Sequence, residues 1–450
     1  MCNFVENLYF SMKETEIVKN IESKLGIAEL NPMQVAMSGK VNVSKIILLS
    51  PTGSGKTVAY LLPLLKNLKP STGRVQAVIL APSRELALQI SKVAQLLATN
   101  YKVTCCYGGH NFEDETNSLS VTPDILVSTP GRLLDHIKRN NIYLQPVRLL
   151  VLDEFDKSLE LGFHEEMKKI INRMPNLSRQ ILTSATQIDA FPEFIDIKGA
   201  ETVNFLYTST IQERLKVYNV QSDLKDKLEA LLLLLSNLEK GKVIVFVNHR
   251  DAALRIFDFL KKHKLPVGIY HGGLEQMDRE KAITMLNNGT FSILVTTDLG
   301  SRGLDIEGIK HIIHYHLPNK VETYTHRNGR TARIDNNGAV YVITGPEEKL
   351  PEFVKCDDVF ELDPNATMSI TKDTETLYFS AGKKEKISRK DILGFLISKA
   401  GIDAKMVGKI DIADHYSLVA VPSKSVKDIL NKICKEKIKN QKVKIAIARQ

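Results

Sequence analysis

Short apolar runs alternate with amphipathic segments along the first half of the chain. The runs Lys45–Ser50, Val75–Pro82, Val103–Gly108, Asp124–Thr129, Leu149–Asp153 and Gln180–Ser184 predict strands. They are apolar throughout rather than at alternate positions, as in strands covered on both faces of a parallel sheet. Helical spacing fills most of the intervals, giving βαβ units. From about Tyr207 the same grammar restarts. Strands are predicted at Lys242–Val247, Val267–His271, Ile293–Thr297, His311–His316 and Ala339–Thr344, with helices such as Asp223–Leu238 and Arg250–His263 between them. The simplest architecture is two α/β domains in tandem, over 13–207 and 208–350.

After Glu347 the periodicity weakens. Pro351 and Pro364 break what remains, so 351–372 reads as a linker. Beyond it the pattern predicts strands at Thr376–Ser380, Lys409–Ile412, Ser417–Val421 and Val443–Ala448, and helices at Arg389–Ala400 and Ser425–Lys435. That β-α-β-β-α-β order over 373–450 is the ferredoxin-like one that RNA-recognition modules use. Charge points the same way. Glu375 to Gln450 holds 17 Lys+Arg against 8 Asp+Glu, which is the whole net charge of +9 of the 450-residue chain. A tail that carries all of the excess reads as a polyanion-binding module. No apolar run approaches the ~20 residues of a membrane span, and no secretory leader pattern opens the chain. Cys2, Cys105, Cys106, Cys356 and Cys434 form no C-x-x-C pair, as expected of free thiols in a reducing cytoplasm.

Chemistry enters at Ser50-Pro51-Thr52-Gly53-Ser54-Gly55-Lys56-Thr57. This fits the phosphate-loop pattern G-x-x-x-x-G-K-[ST] once its first glycine is relaxed to Ser50. Two glycines let backbone N–H groups converge on phosphate oxygens. Lys56 can reach the β/γ-phosphates, and the Thr57 hydroxyl can ligate Mg2+. The apolar run before the loop and the helical segment Val58–Leu68 after it give the strand–loop–helix context, with Pro63 as a possible break. A second apolar strand, Leu149 to Leu152, runs into Asp153-Glu154-Phe155-Asp156. Asp153 suits the metal and Glu154 the attacking water. In the second half, His326-Arg327-Asn328-Gly329-Arg330-Thr331-Ala332-Arg333 offers Arg330 and Arg333 as arginine fingers, which would make hydrolysis depend on closure of two domains.

Together these segments resemble the DEAD-box RNA helicases of superfamily 2 over roughly Gly26 to Gly345. Asn31-Pro32-Met33-Gln34 resembles the adenine-reading Q motif, with Gln34 as reader of ATP. Pro82-Ser83-Arg84-Glu85, Gly108-Gly109 and Thr129-Pro130-Gly131-Arg132 resemble the RNA-backbone motifs. Ser184-Ala185-Thr186 resembles the motif that couples hydrolysis to unwinding, together with Asp156 and His326. His271-Gly272-Gly273 with Gln276 and Arg279, and Thr296-Thr297-Asp298 with Ser301-Arg302-Gly303-Leu304-Asp305, match second-domain signatures. The resemblance implies RecA-like domains and ATP contacts from Gln34, Thr52, Gly53, Ser54, Gly55, Lys56, Thr57 and Asp305. It implies RNA contacts from Arg84, Gly109, Thr129, Arg132, Gln276, Arg279 and Thr296. Four positions depart from the pattern: Phe155 replaces the name-giving alanine, Ser83 a threonine, Ala332 a glycine, and Ile17 the aromatic often found seventeen residues before Gln34.

In the tail, Thr376-Leu377-Tyr378-Phe379, Gly382-Lys383-Lys384, Asp391-Ile392-Leu393-Gly394 and Gly408-Lys409-Ile410 resemble the RNA-binding domain of bacterial DbpA helicases. Lys383, Lys384 and Lys386, with Arg389 and Lys390, are the candidate contacts. The resemblance implies an RRM-like domain that addresses the enzyme to 23S rRNA and pre-50S ribosomal particles, and a monomer in the cytoplasm. A helicase for another RNA, such as messenger RNA, and an ATP-gated RNA clamp that does not unwind are the alternatives.

Overall fold

The computed structural model describes residues 15–109, 111–188, 190–206, 215–301, 306, 308–331 and 338–450. They fall into two compact units, one ending within the segment 207–214 and one running from there to the tail. Asp305 and Arg333, both expected at the nucleotide site, lie outside the described residues.

The first unit is built on seven strands: β1 Lys45–Leu49, β2 Ala77–Leu80, β3 Val103–Cys106, β4 Ile125–Ser128, β5 Leu149–Leu152, β6 Arg179–Ser184 and β7 Glu201–Asn204. They pair in parallel in the order β3-β4-β2-β5-β6-β1-β7. β2, β4 and β5 are buried along their whole length, and β1 from its second residue on, which explains their unbroken apolarity. β7 escapes a pattern search because only Val203 of its four residues is buried.

This order sorts the loops. Strands β5, β6 and β1 are neighbours, so the loops leaving their carboxyl ends lie side by side. Strands β3, β4 and β2 bring a second set of loops together. Ligands of open α/β sheets bind outside those carboxyl ends. Helix Lys56–Asn67 continues through Pro63, with every residue from Val58 to Leu65 buried. Tertiary burial outweighs the lost backbone bond there.

The second unit repeats the design with β8 Leu215–Gln221, β9 Lys242–Phe246, β10 Val267–Tyr270, β11 Ile293–Thr296, β12 Ile309–His314, β13 Gly338–Thr344 and β14 Asp358–Val359. The parallel order is β10-β11-β9-β12-β13-β8-β14. The segment 351–372 lies along this sheet. Its strand β14 pairs with Tyr218 and Asn219, and Phe360 packs edge-on against Tyr218 and Tyr341. The Asp357 carboxylate accepts a bond of 2.8 Å from the Val217 amide. A two-residue strand among prolines and acids has no periodicity to detect.

The tail contributes β15 Thr374–Phe379, β16 Ile410–Ile412, β17 Ser417–Pro422, a small hairpin of β18 Lys437–Ile438 and β19 Gln441–Lys442, and β20 Ile445–Ile447. Its main sheet is antiparallel in the order β16-β17-β15-β20, the ferredoxin-like arrangement. Ser388 and Asp391 form a capping box at the start of its first helix, Arg389–Phe395. Among the described residues, no helix is long and apolar enough to cross a membrane.

Candidate nucleotide site and RNA-facing loops

The phosphate loop turns on two glycines in the left-handed region, Gly53 at φ 81° and Gly55 at φ 88°. A side chain at Gly55 is excluded twice, by its φ and by Gln34 Nε2, which would stand 2.7 Å from a Cβ there. Ser50 and Ser54 join their hydroxyls across the loop at 2.7 Å. The Lys56 ammonium folds back onto the carbonyls of Ser50 (2.7 Å) and Pro51 (2.9 Å). It is thereby held over the loop as a buried cation. Thr52 is buried within the loop, and Thr57 opens the helix with its hydroxyl against that of Tyr60.

Gln34 is wired directly to this loop. Asn31 caps the helix Pro32–Ser38, accepting from the Gln34 amide, while Gln34 Oε1 accepts from the Asn31 amide. The remaining donors reach across: Asn31 Nδ2 bonds the Ser54 carbonyl at 2.9 Å and Gln34 Nε2 the Gly55 carbonyl at 3.3 Å. A ligand that engages Gln34 therefore pulls on the phosphate loop.

Opposite Lys56 stand the carboxylates that end β5. Asp153 accepts from the Thr183 hydroxyl and from the Tyr60 hydroxyl, the latter at 3.2 Å. Burial, reinforced by the charge of Glu154, pushes the Asp153 carboxyl up to about 6. Glu154 sits in the left-handed region at φ 45°, a strained conformation for a side-chain-bearing residue. Its Oε2 is buried with no hydrogen-bond partner among the described residues. Two adjoining carboxylates and a nearby hydroxyl form a hard oxygen set, and a divalent cation such as Mg2+ fits it.

A pH dependence follows. In the folded protein Asp153 keeps its proton up to about 6, whereas the unfolded chain loses it near the ordinary value of 3.8. Without metal, this group's stabilising contribution is fully present below ~4 and is lost as pH rises to ~6. Denaturation midpoints of metal-free protein should show that fall, and Asp153→Asn should flatten it.

Phe155, the departure in this motif, points away from the chemistry. It is fully buried in an apolar cluster with Leu152, Met167, Leu182 and Ile195, and stacks on Phe191 at 6.1 Å. Phe155→Ala should cost about 3–5 kcal/mol through the cavity it leaves, read as a drop in melting temperature.

Of the residues expected to couple hydrolysis to unwinding, Asp156, Thr186 and Ser184 form one chain of bonds. Thr186 donates to Asp156 at 3.0 Å, Ser184 bonds the Thr186 carbonyl at 2.6 Å, and the Ser50 amide donates to the Ser184 carbonyl at 3.0 Å. The acidic motif, the Ser184-Ala185-Thr186 turn and the mouth of the phosphate loop are thus linked without a gap.

The second loop set gathers Arg84, Gly109, Thr129 and Arg132. Arg84 lies on the backbone of Gly108 and Gly109, so a Cβ at Gly109 would stand 2.2 Å from its Nη1. Gly109 also adopts φ 80°. Gly109→Ala should displace Arg84 and cost about 1–2 kcal/mol in backbone strain. An RNA titration of the ATPase should then show a raised KM for RNA. Thr129 caps the helix Pro130–Lys138. Arg132 is turned inward, paired with Glu115 at 2.6 Å and lying over the Phe112 ring. Glu115 had no sequence signal, since it closes an ordinary acidic run. Buried, it receives the Tyr107 amide (2.9 Å) and contacts His136 Nε2 (2.8 Å), which ties the glycine turn to the Arg132 helix.

In the second unit Gln276 and Arg279 share one turn of helix Gln276–Asn287 and bond to each other. Thr296 is fully buried, its hydroxyl facing the Tyr270 carbonyl at 2.8 Å. His326 and Arg330 are also buried, near the end of helix Val321–Asn328. The residue that sequence reading passed over is Arg327. It is fully buried and donates to Asp298 (2.6 Å), the His316 carbonyl (2.6 Å) and Asn248 (2.8 Å). Burial and the Arg327 charge push His314 down to about 3, so it stays neutral beside that cation. In the tail, Lys383, Lys384 and Lys386 are exposed on one turn, which Gly382 allows by packing against the Ala413 carbonyl.

Comparison with known proteins agrees with this geometry. Residues 31–194 match the DEAD/DEAH box helicase family, 226–335 the helicase conserved C-terminal domain, and 376–447 the DbpA RNA binding domain. The chain is 32% identical to the ATP-dependent RNA helicase DbpA of Escherichia coli, over 89% of this chain and 90% of that one. It is 30% identical to the DbpA of Bacillus subtilis, over 93% and 95%. Among solved structures, S. cerevisiae Dbp5 bound to RNA and ADP BeF3 matches 73% of this chain and 87% of its own, at 26% identity and a TM-score of 0.66. The chain therefore belongs to the DEAD-box family of ATP-dependent RNA helicases, and its tail places it with the DbpA members of that family.

Proposed function

We propose that this helicase acts on 23S rRNA during large-subunit assembly, as a cytoplasmic monomer addressed to pre-50S particles by residues 373–450. The observation that carries the reading is the tail itself. From Glu375 on it holds all of the chain's net positive charge, and it displays Lys383, Lys384 and Lys386 together on an exposed turn. Phosphate contacts of that kind supply affinity, while bases supply the address.

In this reading Lys56 releases the Ser50 and Pro51 carbonyls and moves to the β/γ-phosphates. Asp153 and Thr57 hold Mg2+, which would neutralise charge on the phosphates. Glu154, already strained and buried, orients the attacking water. Arg330 and Arg333 supply positive charge to the transition state. Gln34 and Asp305 select adenine and ribose. The Asp156–Thr186–Ser184 chain relays the state of the phosphate loop to Arg84, Gly109, Thr129 and Arg132, and Gln276, Arg279 and Thr296 complete the grip on the RNA backbone. Gripping phosphate and ribose in a bent path separates a short duplex without reading its sequence.

The clamp alternative drew its weight from Phe155, whose ring lies in the apolar core. Removal of everything after Lys372 tests the address. Unstimulated ATPase should persist and the preference for 23S fragments over unrelated RNA should vanish. A truncated protein that keeps the preference would refute the reading.

A further inference from the structure

Strand β17 is buried from Ser417 to Val421, on both of its faces. One face is explained by the tail's own helices, which cover Val419 and Val421 along with Leu377 and Phe379. The other face carries Thr376, Tyr378, Leu418 and Ala420, and on it Thr376 and Tyr378 meet the second helicase domain. Thr376 and Thr290 join hydroxyls at 2.5 Å, and Asn288 Nδ2 donates to Thr376 at 3.4 Å. Tyr378 and Tyr416 stack at 5.9 Å, with the Lys281 ammonium 5.4 Å and 6.0 Å from the two ring centroids. The Tyr416 hydroxyl donates to Glu280 at 3.3 Å. A separate contact lies on β10, the sheet's edge strand. The Gln450 carboxamide accepts from the Ile269 amide at 3.0 Å and donates to the Ile269 carbonyl at 2.6 Å. One side chain thus imitates a neighbouring strand residue and closes an exposed edge.

We propose that this sheet face is a docking surface that fixes the RNA-binding tail on helix Gln276–Asn287, so that RNA held by the tail reaches the core from one set direction. The contacts are hydroxyls, stacked rings and a cation over them, the polar character of an interface that holds orientation rather than of a core. The same helix carries Gln276 one turn before Glu280, and Arg279 directly before it. Docking therefore links the tail to the RNA-contacting turn through a single rigid element. It also occupies the sheet face on which RNA-recognition modules stack bases, leaving the exposed lysine turn for RNA. A flexibly tethered tail would only raise local RNA concentration, whereas a docked one also constrains geometry.

The test has two arms on the full chain. Fluorophores at exposed Leu254 and Met406, introduced as unnatural residues, should give a narrow transfer distribution without RNA. Tyr416→Ala combined with Lys281→Glu should broaden it, and Gln450→Ala, which leaves the rings in place, should broaden it less. In the second arm, a 23S fragment is joined to a short duplex by spacers of increasing length. Stimulated kcat/KM should show a sharp spacer optimum that flattens in the double variant, while equilibrium RNA affinity changes less than about twofold. A broad distribution in the unaltered protein, or a spacer profile that the variant does not move, overturns docking. The inference takes its RNA arm from the 23S reading. If 23S fragments prove no better than other RNA, the first arm still decides it.

Discussion

Lys56→Ala is expected to lower ATP turnover by about a thousandfold or more, the scale on which preorganised charge acts in a water-excluded site. The buried ammonium donates to the Ser50 and Pro51 carbonyls in the resting site, contacts it can leave for phosphate oxygens. Its loss should cost folding only about 1–3 kcal/mol, because two carbonyls lose their donor. Turnover at saturating RNA, with circular dichroism to confirm the fold, separates the two effects. Hydrolysis within a few-fold of normal would mean that Lys56 does not serve the phosphates.

The second large effect is expected at Glu154. Glu154→Gln keeps the shape but removes the carboxylate proposed as the base, and hydrolysis should fall by about 10²–10⁴-fold. ATP affinity should hold or tighten, since a neutral amide no longer repels Asp153 or the phosphates. The variant should accumulate as a long-lived complex with ATP and RNA, visible as slow release of labelled RNA in a filter assay. The buried, unpartnered Oε2 and the φ of 45° mark Glu154 as held for a ligand rather than for the fold. Rapid RNA release with full hydrolysis would remove it from the mechanism.

The parts of the fold legible in the sequence were those with continuous apolar strands. β1, β2, β4, β5, β9 and β11 are buried on both faces over nearly their whole length, so their apolar pattern is continuous. β7, β8 and β14 did not announce themselves because much of their length is exposed or only half-buried. At the site, glycines, Lys56 and the acids were legible because the chemistry dictates residue type at fixed spacing. What could not be read was inward use of charge. Arg132 in its ion pair with Glu115 and Arg327 among Asp298, His316 and Asn248 look like surface cations in one dimension. The capping box that ties Gln34 to the phosphate loop was likewise invisible as wiring, although its residues were all in view. Phe155 shows the reverse case: a conspicuous departure in a catalytic motif that the core absorbs.

The proposed mechanism makes hydrolysis at Lys56, Asp153 and Glu154 wait on RNA chosen by the tail. Steady-state ATPase rates across a titration of 23S fragments and of unrelated RNA of equal length test it most directly. The prediction is strong stimulation by both at saturation, with the 23S fragment effective at a concentration at least ~10-fold lower, about 1.4 kcal/mol of preference. Equal half-saturation for the two RNAs, or a rate that RNA does not raise, would contradict it.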